Sequence, residues 1–197
     1  MIHPIEEESY RILAGRVDLS GLPPLSRAVV ARIIHASADV EYATTTVTDE
    51  AALAAAVRAL QDGAPVVADV EMVASGITGA PAGCYLDRVG PGARPTRSAA
   101  AIRAAAAEHP DGAIFVIGCA PTALFELVEL AGSGRVRPAL VVGMPVGFVG
   151  AAESKEALRA SGLPSVSNRG EKGGSAVAAA AFNAIARIAA REGDSDG

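Results

Sequence analysis

Short runs of apolar and β-branched residues recur along the chain, separated by stretches whose alanines and leucines repeat at helical spacing. Five such runs read as strands: PVVADV at 65–70, CYLDRV at 84–89, AIFVIG at 113–118, ALVVGM at 139–144 and PSVSNR at 164–169. Between and after them lie TRSAAAIRAAAAEH, PTALFELVELAG, AAESKEALRASG and SAVAAAAFNAIARIAAR, which read as helices. Three further helices precede the first strand. PIEEESYRIL has carboxylates in its first turn, a second helix runs from about 24 to 38, and DEAALAAAVRALQDG stops at Gly63. Strands alternating with helices of this length imply βαβ units and a parallel sheet. Continuously apolar strands are expected where helices cover both faces. The pattern predicts an α/β fold: a three-layer α/β/α domain with a doubly wound, mainly parallel sheet of about five strands and an N-terminal helical lead-in.

Ligands in such sheets gather where the carboxyl ends of the strands run into helices. GMPVGFVG places Gly143, Gly147 and Gly150 at one of these points, in the architecture of an anion-binding loop. Its chemistry differs, because Met144, Val146, Phe148 and Val149 fill it and no Lys-Ser or Lys-Thr closes it. Apolar surface with backbone donors suits a large hydrophobic ring, and a tight turn packed with core residues fits the spacing equally. NRGEKGGS brings Arg169 and Lys172 to the start of the last helix, either as a carboxylate or phosphate site or as a solvated loop. In TRSAAA, Thr96 or Ser98 can cap a helix while Arg97 points into the cleft or to solvent.

Composition narrows the classes. The chain has 197 residues, half of them hydrophobic, which suits a single domain over 1–197 with a disordered tail at 192–197. A net charge of -5 without a basic stripe argues against nucleic acid as a partner. The acidic opening MIHPIEEES is unlike a signal peptide, and no apolar run is long enough for a bilayer, so no membrane partner is expected. Cys84 and Cys119 stand far apart without a pairing pattern, as in a reduced cytoplasmic protein. His3, His35 and His109 are the three histidines, with no metal-ligand spacing among them, so no metal site is expected. His109, before Pro110, reads as a helix-end cap.

His35 lies in ARIIHASADVEY. Val29 with Ile33, and Val30 with Ile34, mark the apolar face of its helix, while Ala28, Ala31, Arg32, Ala38 and Asp39 are its own neighbours at helical spacing. This small-residue flank leaves room for a ligand, and an imidazole can exchange a proton near neutrality. Asp39 and the helix C-terminus favour the charged form and Arg32 opposes it, leaving the net sign open. A histidine hydrogen-bonded to a neighbour without chemistry fits the same spacing.

The ordered set PIEEESYRIL, ARIIHASADVEY, DVEMVASGIT, TRSAAA, APTALFELVEL, PALVVGMPVGFVGAAESKEAL and RGEKGGSAVAAAAFNAIA resembles the precorrin-8X methylmutase family of cobalamin biosynthesis, which includes the cobalt-precorrin-8 enzymes. The resemblance spans nearly the whole chain. It implies a homodimeric isomerase without a dissociable cofactor, moving a methyl group from C-11 to C-12 of precorrin-8X to give hydrogenobyrinic acid. The cobalt-precorrin-8 version gives cobyrinic acid. The family's catalytic histidine falls on His35, a general acid toward a ring nitrogen. A substrate-contacting serine falls on Ser9, and an arginine placed to meet a substrate carboxylate falls on Arg97. Arg169, Lys172, Met144, Val146, Gly147 and Phe148 are added as substrate contacts from their chemistry. Many relatives read GNAPTAL where this chain has Cys119, expected here to be a small, partly buried hydrophobe. A non-catalytic corrinoid carrier would share the binding residues, and a nucleotide-binding flavodoxin-like domain would need a phosphate loop that is not recognisable.

Overall fold

A computed structural model describes residues 4–193. His3 and tail residues 194–197 lie outside the described residues, whereas 192 and 193 belong to the last helix rather than to a disordered tail. The lead-in consists of α1 (Pro4–Arg16), α2 (Pro24–Ser37), α3 (Tyr42–Thr45), the two-residue strand β1 (Thr46–Val47) and α4 (Glu50–Gln61). The alternating part follows as β2 (Val66–Ala68), α5 (Glu71–Gly76), β3 (Ala82–Cys84), α6 (Arg97–Glu108), β4 (Ile114–Ile117), α7 (Pro121–Gly132), β5 (Leu140–Gly143), α8 (Ala151–Ala160), β6 (Ser165–Asn168) and α9 (Ser175–Gly193).

The six strands lie in the order β1-β6-β5-β4-β2-β3, all parallel except β1, which runs antiparallel to β6. Two details differ from the sequence reading. The strand expected at 84–89 sits earlier, pairing Ala82–Cys84 with Val66–Ala68, and Leu86–Arg88 form a 3-10 turn. β3 is a sheet edge and only partly covered, so it lacks an unbroken apolar run. β1 is too short to show any period, and its register of Thr46 with Asn168 emerges only from tertiary pairing.

Successive strand residues face opposite layers. Val66, Ala68, Ile114, Val116, Leu140, Val142 and Val166 pack beneath α2, α4, α5 and α9, while Val67, Phe115, Ile117 and Val141 pack beneath α6, α7 and α8. The sheet is therefore doubly wound, with its switch point between β2 and β4, where the crossover helices change sides.

The helix that carries His35 is fixed at both ends. Its N-terminus begins at Pro24 with no capping side chain of its own. Glu50 of α4 does the capping, accepting from Leu25 N (2.8 Å), Ser26 N (2.9 Å) and Ser26 Oγ (2.7 Å). Burial alone would raise the Glu50 carboxyl, but these bonds outweigh it and hold its pKa below the ordinary value. The stabilisation is thus present above the unfolded glutamate pKa and lost as pH falls through the depressed folded value. Glu50→Ala is expected to cost about 1–2 kcal/mol, seen as a fall of a few degrees in the melting temperature. At the other end Ala38 takes a left-handed conformation (φ 55°) and donates to Ile34 O at 2.8 Å, ending α2 three residues after His35.

Candidate active site

The amphipathic spacing of α1 places Glu6, Ser9 and Tyr10 on one face, since i, i+3 and i+4 are neighbours on a helix. That face meets the last turn of α2. Ser9 Oγ lies 2.7 Å from His35 Nδ1, and the Tyr10 ring stacks on the imidazole with centroids 5.1 Å apart and planes 18° from parallel. Glu6 accepts from Arg32 Nη1 (2.9 Å) and Arg187 Nη1 (2.7 Å), joining α1 to α2 and α9. Beside the imidazole is a cavity of about 340 Å³ whose walls include Ile5, Ser9, Ile12, Ile34 and Val40. A largely apolar cleft that carries one imidazole and one hydroxyl, with Glu8 and Arg16 also in its lining, can bind a hydrophobic ring and move a proton to it.

Burial pushes the His35 pKa below its ordinary value, and Arg32 and Arg187 push the same way while Glu6 opposes them. Asp39, one of the two influences expected to favour the charged form, is instead engaged by Lys172 at 2.6 Å. The sign left open by the sequence is therefore downward.

Lys172 also pairs with Glu41 at 2.7 Å, so its ammonium ties the turn after β6 to the end of α2 and does not project alone into a cleft. Arg169 is exposed, and its backbone N–H donates to Thr45 O (2.9 Å). The glycine loop divides residue by residue. Met144, expected to touch substrate, is fully buried in the core. Its N–H donates to Ile117 O (2.8 Å) and its carbonyl accepts from Gly174 N (2.9 Å), stitching the loop to β4 and to the start of α9. Gly147 is followed by Phe148 and Val149, which are 90% and 88% exposed, and Val146 is also exposed, so these form an apolar rim at the strand ends. A Cβ on Gly173 would overlap the Met144 carbonyl oxygen and lie 2.7 Å from that of Pro145, so only glycine lets the two loops meet. Gly173→Ala is expected to loosen this junction and lower the melting temperature by several degrees in a thermal scan.

Arg97 begins α6, in the helical layer opposite α2, and its guanidinium donates to Leu86 O at 2.9 Å. Thr96 caps that helix by accepting from Ala99 N (3.2 Å). His109 is the cap at its other end, with Nε2 2.9 Å from the Tyr85 hydroxyl. Cys119 is exposed rather than partly buried.

Three groups of this region were not singled out from the sequence. Asp69, fully buried at the end of β2, accepts from Gly118 N (3.1 Å), Cys119 N (2.9 Å) and Ala120 N (2.8 Å) across the switch point. Burial pushes its carboxyl above the usual range, and the three N–H groups limit the rise. Its signal was a lone carboxylate inside an apolar strand run. Lys155 is fully buried on α8 and donates to Lys172 O (2.6 Å) and Asn168 Oδ1 (3.2 Å), with burial pushing its ammonium down to about 8. It lies on the buried stripe of α8 between Ala151 and Leu158, a placement the helical period would have flagged. Glu6 was one of three consecutive glutamates, and only the fold distinguishes it. Among the described residues no group of three or more His, Cys, Asp or Glu side chains could hold a metal ion. No helix among them is long and apolar enough to cross a membrane.

Comparison with known proteins identifies the family. The family model for precorrin-8X methylmutase matches residues 4–188. The cobalt-precorrin-8 methylmutase of Methanothermobacter thermautotrophicus is 44% identical over 175 residues, covering 85% of this chain and 83% of the relative. The precorrin-8X methylmutase of Pseudomonas aeruginosa is 42% identical over 195 residues, covering 92% and 93% respectively. The crystal structure of precorrin-8X methylmutase from Thermus thermophilus superimposes with a TM-score of 0.86 at 40% identity, covering 97% of this chain and all of that one. The chain belongs to the precorrin-8X methylmutase family and is an isomerase of cobalamin biosynthesis.

Proposed function

We propose that the protein moves a methyl group from C-11 to C-12 of precorrin-8X, giving hydrogenobyrinic acid, with His35 as the general acid. The observation that carries this reading is the His35–Ser9 pair at the mouth of an apolar cleft, on the motif that family resemblance assigns to the acid. When the imidazole is charged, Nδ1–H donates to Ser9 Oγ and Nε2–H is the proton available to a ring nitrogen. Donation there draws electron density from the conjugated system. The bond from C-11 to the methyl breaks as the bond to C-12 forms, and the borrowed proton returns to His35, so the step is redox-neutral and needs no co-reactant. Ser9 is a positioning residue that holds the ring at one tautomer and angle. Ser9→Ala is expected to lower kcat by roughly tenfold, less than the roughly hundredfold or more that removing a general acid costs, with KM changed far less.

The depressed pKa of His35 has a consequence for the pH profile. The acid must be protonated, so kcat/KM, which reports the free enzyme, falls as pH rises through a value below the ordinary ~6.5 of histidine. A corrinoid rimmed by acetate and propionate groups adds negative charge around the site and raises that pKa in the complex. The decline in kcat is therefore expected at higher pH than the decline in kcat/KM. Coincident limbs would contradict the assignment.

The substrate's carboxylates also suit Arg97 and Arg169 as partners. The exposed Val146 and Phe148 offer apolar contact at the same edge of the sheet. The protein acts as a homodimer, checked by the sedimented mass. Relatives at 44% and 42% identity bear the cobalt and the metal-free names respectively, so both substrates are to be assayed. Incubation with precorrin-8X and, separately, with cobalt-precorrin-8 is expected to generate the product chromophore with at least one. Formation with neither would overturn the reading.

A further inference from the structure

Among the described residues, Glu6 of α1 is the one carboxylate near His35 that pairs with arginines of both α2 and α9. Arg32 precedes His35 by one turn on α2, and Arg187 reaches the same point from α9. Both guanidiniums bind Glu6, whose side chain is only 16% exposed against 24% for Arg32 and 42% for Arg187. The remaining charges near the imidazole are engaged or lie along the cavity. Glu8 of α1 pairs with Arg11, Arg16 of α1 lines the cavity, and Asp39 after α2 pairs with Lys172 from the turn after β6. Tyr10 contributes a neutral ring face.

Two cations and one carboxylate leave an excess positive charge beside a group that must itself become positive. In a partly buried site such interactions are weakly screened. We propose that Glu6 is a positioning residue of this enzyme that offsets Arg32 and Arg187, so that His35 can hold its proton, and that keeps α1 seated with Ser9 and Tyr10 against the imidazole. The inference rests on the reading of His35 as the acid and extends it to the charge arrangement that makes the acid usable. It also explains why a helix with a single buried residue, Leu13, carries two groups in contact with His35. Polar contacts that converge on Glu6 add to the packing of Leu13 and Tyr10 in seating it against α2 and α9.

The test is an NMR titration of His35 in protein made with carbon-labelled histidine, its resonance identified by its absence from a His35 variant. Glu6→Gln keeps the shape of the side chain and removes its charge, and is expected to lower the His35 midpoint by at least ~0.5 pH unit. Arg187→Gln is expected to shift the midpoint upward, and the double variant Glu6→Gln/Arg187→Gln to bring it back toward the wild type. A merely structural role would not produce opposite signs and a restoring double variant. An unmoved midpoint in Glu6→Gln, or a double variant no closer to wild type than the single one, would overturn the proposal. The pH profile of kcat/KM is read in parallel. If the midpoint moves and the profile does not, Glu6 still tunes His35, and it is the acid role of His35 that fails.

Discussion

His35→Ala is expected to lower methyl migration by roughly a hundred- to ten-thousand-fold, the range for removal of a general acid, while corrinoid binding and the folded state persist. The binding walls Ile5, Ile12, Ile34 and Val40 do not depend on the imidazole, and the apolar face of α2 is formed by Val29, Val30, Ile33 and Ile34. Truncating a side chain on the flank of that helix leaves the core intact. The loss should therefore fall on kcat, with titration of hydrogenobyrinic acid still saturating. A corrinoid carrier would bind in both the wild type and the variant and turn over in neither, since no proton transfer is required of it. Undiminished turnover in His35→Ala would remove the mechanism. Intact ligand binding together with lost turnover separates enzyme from carrier in a single protein.

The architecture was legible because parallel strands covered on both faces leave unbroken apolar runs, and helices between them leave a second period. PVVADV, AIFVIG and ALVVGM all became central strands, and PTALFELVELAG became a helix at the same boundaries. The edges were less legible. Ala82–Cys84 lies where one side of the sheet has no neighbour, and Thr46–Val47 is too short to repeat anything. In the site, the histidine and serine were found through motif resemblance. Their contact could not be read from spacing, since 26 residues separate them and only the docking of α1 on α2 joins them. Charged residues were the hardest. Lys172 looked like a cation awaiting a carboxylate and is held by Asp39 and Glu41, while the acceptors of the buried Lys155, Asn168 and the Lys172 carbonyl, emerge only in the fold. Partners from distant parts of the chain decide these roles, and one-dimensional pattern carries no information about them. Met144 illustrates the same limit for apolar residues: membership of a glycine-rich loop did not distinguish a core side chain from the exposed Phe148 four residues later.

Asp69→Ala is expected to cost about 3–5 kcal/mol, since hydrogen bonds to a charged acceptor contribute roughly 1.5–3 kcal/mol each and three are lost together, offset in part by the burial of the carboxylate. At roughly 2–4 °C per kcal/mol for a chain of this size, the melting temperature should fall by about 10 °C. Asp69 stands at the switch point between β2 and β4, where doubly wound sheets receive the anionic part of a ligand. The backbone N–H groups of the turn between β4 and α7 would ordinarily face that anion. Here they face a carboxylate belonging to the chain itself, and Gly118, Cys119 and Ala120 all donate to it. The protein thus fills internally the place where a flavodoxin-like nucleotide binder would hold a phosphate. This fits a doubly wound fold whose proposed acid, His35, sits instead at the end of α2. Without the carboxylate the Gly118 N–H is left buried and unpaired, and the turn that feeds α7 loses its anchor to β2. Asp69→Asn keeps an acceptor oxygen and similar volume, so it should lose distinctly less. Formate, added to the Asp69→Ala protein, should enter the vacated space and recover part of the lost melting temperature. An Asp69→Ala protein as stable as the wild type would show that these three hydrogen bonds do not hold the switch point closed. Tight binding of FMN by the wild type in calorimetry would show that the carboxylate yields its place to a phosphate.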